Sequence, residues 1–482
     1  MTLRRTKIVA TLGPATSSPE ALEQIIAAGA DVVRLNFSHG SAEDHKQRAE
    51  TVLRAASSVG RHVAILADLQ GPKVRIARFI NNKVQLTNGQ SFVLDPNMDL
   101  ESGTDHAVGL DFPELGKDLH QDDILLLDDG RIVLKVDHVD QDKVHTIVQV
   151  GGPLSNNKGI NLQGGGLSAP ALTDKDRADL ITAAEIGADY IAISFVRNAG
   201  DMNEARALLE QANSKAGLIA KIERAEAIET ETLKGIIEAS EGIMVARGDL
   251  AVEIGDAMLV GVQKDIIEHT RKLNRIVITA TQMMESMITS PMPTRAEVSD
   301  VANAVMDGTD AVMLSAETAV GDYPSQTVEA MARVCLGAEQ HRNAHKSSHR
   351  LDIAVHSIYE SVALSAMYAA NHLDGVKAII CMTQRGKTPL LMSRISSGIP
   401  IFAFTSHAAT QRRVCLYRGV ITHPFDSKVI NNDQVNHVAV EQLRELGIVQ
   451  DGDIVLISKG DYVKAHGGTN TLKVVRVGDL IQ

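Results

Sequence analysis

The sequence predicts an α/β protein: a (β/α)8 TIM barrel with a small β-barrel lid domain inserted in it and an open α/β domain at its C-terminal end. Three observations predict this. Eight short apolar, mostly β-branched runs recur along the chain, most of them separated by one amphipathic helical stretch. That is the pattern of parallel strands buried on both faces and joined by crossover helices. One gap between runs is roughly four times longer than the others, which a helix and two loops cannot fill. The chain's 482 residues also exceed the roughly 250 of such a barrel, so further compact units must accompany it.

Taken in order, the runs are KIVATLG from Lys7, DVVRLNFSHG from Asp31, HVAILADLQG from His62, DYIAISFVR from Asp189, GLIAKIERAE from Gly217, EGIMVARGDL from Glu241, RIVITATQMM from Arg275 and DAVMLSAET from Asp310. The long gap separates the third from the fourth. It holds short strands with turn signals: KVQLTNGQSFVLD, ILLLDDGRIVLKV with Asp129-Gly130 as a hairpin turn, and KVHTIVQVGG. Springing from the C-terminal rim of a barrel strand, this insertion is placed to close over the rim and exclude water, with hinges near Gly71-Pro72 and Leu167 to Pro170. A polar linker at 341–349 follows the eighth run and its helix. Beyond it come helix SIYESVALSAMYAANHL, strand VKAIICMT, helix TPLLMSRIS, strand PIFAFTS, helix TQRRVCLYR, helix QVNHVAVEQLRELG, and strands DIVLISKG and TLKVVRV. The expected spans are 1–71 and 169–342 for the barrel, 72–168 for the lid and 343–482 for the last domain.

Composition narrows the function classes. A formal net charge of −12 argues against nucleic acid and acidic membrane surfaces as partners, so any anionic substrate must meet locally gathered cations. Tryptophan is absent and aromatics make up 3 %, which removes the usual base-stacking platform. Cys335, Cys381 and Cys415 are odd in number and widely spaced, forming neither a disulfide framework nor a CxxC site. Gly13-Pro14 cuts the first apolar run short of a signal h-region, and no stretch approaches a membrane span. A cytoplasmic protein is expected.

Chemistry in such a barrel sits at the C-terminal ends of the strands. Arg34, Asp68, Lys221, Glu223, Asp249, Thr281, Ser315 and Glu317 all fall there. The strand period of two puts Arg34, Asn36 and Ser38 on one face, and Lys221 with Glu223 on another. An isolated Lys-x-Glu is commonly a surface pair, but five charged groups ending buried runs are costly unless paired or used. Glu223 and Asp249 are two carboxylates at one rim, the protein share of a usual Mg2+ site. Backbone N–H groups near Gly248 suit a substrate carboxylate. Thr281, Ser315 and Glu317 read equally as strand caps or as chemical groups. His39 alone carries little. In the last domain, CMTQRGKTPLL offers Thr383, Arg385, Gly386, Lys387 and Thr388 at a strand-loop-helix junction, which favours phosphate; a solvated turn is the alternative.

The motifs RLNFSHG, DLQGPKVR, KIERAEA, MVARGDLAVEI, TATQMMESMI, PTRAEVSDVANAVMDGTDAVMLSAET and GDYP, with NNKGIN in the insertion and GTNT near the end, together resemble the pyruvate kinase family over essentially the whole chain. The resemblance implies transfer of the phosphoryl group of phosphoenolpyruvate to ADP, giving ATP and an enolpyruvate that is protonated to pyruvate. It implies Mg2+ or Mn2+ on Glu223 and Asp249, phosphoryl clamping by Arg34 and Arg75, and stabilisation of the transferring group by Lys221. Substrate would also meet Gly248, Asp249 and Thr281. Asn36, Ser38, His39, Arg75 and Lys158 would bind nucleotide, and Thr281, Ser315 and Glu317 would lie where a proton is relayed. It further implies a homotetramer and a phosphorylated effector, a sugar phosphate or nucleotide monophosphate, at 383–388.

Three departures qualify this. Potassium-dependent members carry Thr and Glu where this chain has Leu69 and Lys73, so the pattern resembles the potassium-independent branch. The Lys73 ammonium would supply the charge of a monovalent ion, although Asn36, Ser38, Asp68 and Leu69 remain a possible cation site. Asn198 and Val320 stand where many relatives have lysine, and Arg385 where relatives usually have Ser. Two other readings compete: a barrel using phosphoenolpyruvate or pyruvate in carbon–carbon chemistry, and a catalytically silent metabolite sensor.

Overall fold

The computed structural model describes residues 3–345, 347, 350, 354–431, 433–460 and 468–479. Part of the expected linker, 346 and 348–349, lies outside them. Eight parallel strands close a barrel in sequence order: Lys7–Thr11, Val32–Asn36, Ala64–Asp68, Tyr190–Ile193, Gly217–Ile222, Gly242–Ala246, Ile276–Ala280 and Ala311–Leu314. Closure is direct, because the first strand pairs with the eighth (Lys7 opposite Ala311) and with the second (Val9 opposite Val32). Every residue of the first, third, sixth and seventh strands is buried, which is why these segments carry no polar alternation.

The crossover helices start and stop where their ends dictate. Ser41 and Thr173 each accept from the third backbone N–H of the following helix, while Asp44 and Asp176 reach back to the cap, completing capping boxes. Gly60 and Gly308, in the left-handed conformation, end their helices. Apolar helix faces and outward strand residues such as Ile8, Val33, Ile65 and Ile191 form one buried cluster.

Residues inserted after the third barrel strand form an all-β unit around a core that includes Phe79, Phe92, Leu125, Leu134 and Leu154. Its strands pair as a six-stranded sheet and a two-stranded ribbon, so the expected small barrel is not one closed ring of hydrogen bonds. The ribbon pairs Gly152–Ser155 with Lys83–Leu86, and both flanks of the Asp129-Gly130 turn are strands, as expected.

The C-terminal sheet has five strands, four parallel and the last, Thr471–Arg476, antiparallel. Two details differ from the sequence reading. TQRRVCLYR is a helix only over Ala408–Arg413 before tightening to a 3-10 turn at Val414–Leu416. An unforeseen edge strand, Val420–Pro424, follows. This domain sits under the barrel floor. Inward barrel residues Val9, Tyr190, Ile219, Met244 and Ile278 share a continuous core with Met367, Ile379, Val414 and Leu416. The three cysteines are buried and free, and burial pushes each thiol up to about 12. No described helix is long and apolar enough to cross a membrane.

Candidate active site

At the C-terminal rim the barrel strands deliver a compact charged cluster. Asp68 ends the third strand and is bonded by Arg34 Nε at 2.6 Å through one oxygen and approached by Lys221 Nζ at 3.3 Å through the other. Lys221 also pairs with Glu223 at 3.0 Å and donates to Ser194 Oγ at 2.8 Å. Two cations and two carboxylates therefore interlock in a site where Asp68 and Glu223 are 1 % and 2 % exposed. Burial works against the Asp68 charge, but Arg34 and Lys221 overcome it and hold its carboxyl below the usual range. Burial likewise opposes the Lys221 ammonium, and Asp68 with Glu223 keep its pKa above that of an ordinary lysine.

Glu223 behaves differently. Burial raises its carboxyl, Lys221 counters that, and the like charge of Asp249 adds to the rise. Two carboxylates facing a common space in this way are the donor set a divalent cation fills. A cationic head already rests there, since Lys73 Nζ lies 2.7 Å from Asp249 Oδ1 and within electrostatic reach of Glu223. The residues thus fit Mg2+ held by two carboxylates with its other positions left to water and substrate, and among the described residues no cluster of three or more His, Cys, Asp or Glu competes for it.

Asp249 and Gly248 open the short helix Arg247–Ile254. Buried Arg247 fixes that helix by bonding both oxygens of Asp300 at 2.8 Å and the Ala280 carbonyl at 3.1 Å. The Gly248 N–H meets Thr281 Oγ1 at 2.9 Å. Thr281 and Gln282 hold φ of +67° and +54°, a strained left-handed pair that aims the threonine hydroxyl at the helix start. Glu317 is buried and accepts from Ser315 N at 2.6 Å and Met284 N at 3.2 Å; burial raises its carboxyl.

The nucleotide candidates are more dispersed. Asn36 and Ser38 form a turn, with Ser38 N donating to Asn36 Oδ1, and His39 is exposed. Arg75 donates to the Asn157 carbonyl and Lys158 pairs with Asp128, so both are held by partners within the inserted domain. Of the possible monovalent-cation set, Asp68 is already committed to two cations, and Leu69 is a buried core residue whose carbonyl accepts from Ser194. Asn198 caps the following helix and Val320 is exposed.

The 383–388 loop closes on itself, with Gly386 in the left-handed conformation donating to Thr383 Oγ1. Arg385 and Lys387 face solvent, Lys387 lies over the Tyr359 ring, and Thr388 meets Thr469 of GTNT at 3.0 Å.

Sequence reasoning missed Ser194, Phe195 and Arg247. Only Arg247 left a signal, as one more charge at the end of a buried run.

Comparison with known proteins agrees with this geometry. Residues 3–328 match the family described as pyruvate kinase, barrel domain, and residues 360–475 match pyruvate kinase, alpha/beta domain. The chain is 58 % identical over 476 residues to pyruvate kinase II of Salmonella typhimurium, covering 98 % of this chain and 99 % of that one. It is 57 % identical to a pyruvate kinase of Haemophilus influenzae, covering 97 % of each. A crystal structure of a pyruvate kinase from Cryptosporidium parvum superposes with a TM-score of 0.92 at 33 % identity, covering 98 % of this chain and 96 % of that one.

Proposed function

The chain belongs to the pyruvate kinase family, phosphotransferases that make pyruvate and ATP from phosphoenolpyruvate and ADP, and from that premise we propose how its residues divide the reaction. The observation that carries the assignment is the interlocked cluster of Arg34, Asp68, Lys221 and Glu223, with Asp249 facing it. Phosphoryl transfer asks little covalent chemistry of the protein and much positioning and charge neutralisation. Lys221 and Arg34 are cations aimed by buried partners at the place where phosphoryl charge develops. Asp68 keeps both oriented. Bound between Glu223 and Asp249, Mg2+ or Mn2+ would neutralise phosphoryl and enol oxygens. The Gly248 N–H, which rests on Thr281 Oγ1, would pass from that hydroxyl to the substrate carboxylate. Thr281, Ser315 and Glu317 line the side from which the enol carbon takes its proton. Closure of the inserted domain would bring Arg75 and Lys158 to the nucleotide held by Asn36, Ser38 and His39.

The test is Lys221→Met. It is expected to abolish pyruvate formation while phosphoenolpyruvate binding persists; a variant retaining turnover would defeat the assignment. Release of pyruvate with and without ADP separates this reading from carbon–carbon chemistry.

Three finer readings accompany it. Lys73, already paired with Asp249, supports activity without K+, and near-zero initial rate in a tetraalkylammonium buffer lacking sodium and potassium would refute that. The 383–388 loop with Thr469 is read as the seat of a phosphorylated activator, a sugar phosphate or nucleotide monophosphate. A homotetramer is the expected assembly. Activity titrations against those ligands, and light scattering, decide the last two; a flat response or a monomeric mass would count against each.

A further inference from the structure

Two neighbouring residues outside the assigned machinery grip both functional groups at the end of the fifth strand, Lys221 and Glu223. Ser194 Oγ accepts from Lys221 Nζ at 2.8 Å and donates to the Leu69 carbonyl at 2.7 Å. The Phe195 N–H donates to Glu223 Oε2 at 2.7 Å. Phe195 does so in a left-handed conformation, φ +54°, that a bulky aromatic residue adopts only when its surroundings impose it.

Those surroundings are the two chain crossings between barrel and inserted domain. On the outgoing side Gly71, anchored by its N–H to Asp176 Oδ1 at 3.0 Å, leaves no room for a side chain: a Cβ there would lie 2.5 Å from Ser194 Cβ and 3.0 Å from Phe195 Cδ2. On the returning side Arg224 donates to the Leu167 carbonyl at 2.6 Å and stands over the Phe195 ring at 6.0 Å. Both crossings thus bear on one dipeptide, and that dipeptide fixes the ammonium and the carboxylate that do the chemistry.

We propose that Ser194 and Phe195 are positioning residues that transmit the placement of the inserted domain, through Gly71 and Arg224, to Lys221 and Glu223. This rests on the roles assigned above to those two residues. The dipeptide divides the work: Ser194 sets the lysine, and the Phe195 backbone sets the carboxylate.

Three substitutions, read by kcat, KM for phosphoenolpyruvate and Mn2+ affinity from electron paramagnetic resonance without substrates, test it. Ser194→Ala is expected to lower kcat about tenfold with Mn2+ affinity unchanged. Gly71→Ala, wedged against both residues, is expected to lower kcat and weaken Mn2+ affinity, each by about tenfold, with KM within about threefold of the parent. Should Gly71→Ala not fold, Arg224→Met loosens the returning crossing alone, and a fall in both readouts is again expected. Gly71→Ala, or Arg224→Met in its place, with kcat and Mn2+ affinity both within about twofold of the parent overturns the link; so does Ser194→Ala with unchanged kcat. A Glu223→Gln control that binds Mn2+ like the parent would instead overturn the metal assignment, so the two failures are distinguishable.

Discussion

Buried to 1 % exposure, Asp68 offers one oxygen to Arg34 and the other to Lys221, a cation it shares with Glu223. Asp68→Asn keeps the shape and removes the charge. Breaking a buried ion network from one side leaves its partners uncompensated, which costs on the order of 3–5 kcal/mol. The expected outcome is a lower urea midpoint together with a fall in kcat; a variant with parental midpoint would show that water already screens the cluster. This residue, with Arg34, Lys221, Glu223 and Asp249, was legible in the sequence because a charge ending a buried apolar run demands an explanation. Ser194 and Phe195 were not legible, since one is an ordinary polar residue and the other an ordinary apolar one. Their part comes from a hydroxyl's neighbours and a backbone angle, which residue identity does not encode. The Lys73–Asp249 contact stayed hidden for a different reason, because it joins residues 176 apart in the chain.

Among the elements, the contact of the inserted domain with the helix Arg247–Ile254 has its own titrating group. Glu253 is buried against that domain, taking the Ala225 N–H at 2.8 Å and Asn161 Nδ2 at 3.4 Å while its own carbonyl accepts from Gly164. Burial raises its carboxyl from the ordinary 4.5 to about 7, with Glu226 adding like charge and Arg224 opposing it. Below pH 4.5 both folded and unfolded chains hold the proton, and the group is neutral to stability. Between 4.5 and 7 the folded chain keeps a proton the unfolded chain has lost, so stability falls as pH rises, to a ceiling of about 3 kcal/mol above 7. Glu253→Gln removes that slope. Its melting temperature is expected to match the parent near pH 5 and exceed it at pH 8, and equal differences at both pH values would refute the argument. Element boundaries were readable where turn chemistry and periodicity agreed, as for the hairpin at Asp129-Gly130. They were not readable for Val420–Pro424, a half-exposed edge strand ending in proline, or for the break that separates Lys143–Val150 from Gly152–Ser155 inside one expected strand.

For the whole molecule, the decisive feature is that the barrel floor and the C-terminal domain share one core, and that a buried ion pair seals it. Arg394 and Asp310, both 0 % exposed, bond through both carboxylate oxygens, and Asp310 also receives the Val277 and Arg418 N–H groups. Burial opposes the Asp310 charge, and Arg394 and Arg271 nevertheless hold its carboxyl below the usual range. The pair also lies on a continuous stretch of structure: Arg394 follows the helix Lys387–Ser393 that leaves the 383–388 loop, and Asp310 precedes the strand Ala311–Leu314 that leads to Ser315 and Glu317. Neither half of this arrangement is complete alone, because Tyr190 and Met244 fill the barrel from above while Val414 and Leu416 meet them from below. Unfolding of the parent is therefore expected to be a single cooperative transition in calorimetry. Arg394→Leu leaves Asp310 buried without its main partner, at a cost of about 3–5 kcal/mol concentrated on the seam. The expected result is a transition that moves down and divides into two, the C-terminal domain melting before the barrel. One undivided transition displaced by less than about 1 °C would mean that the shared apolar core, and not the ion pair, binds the domains into one folding unit.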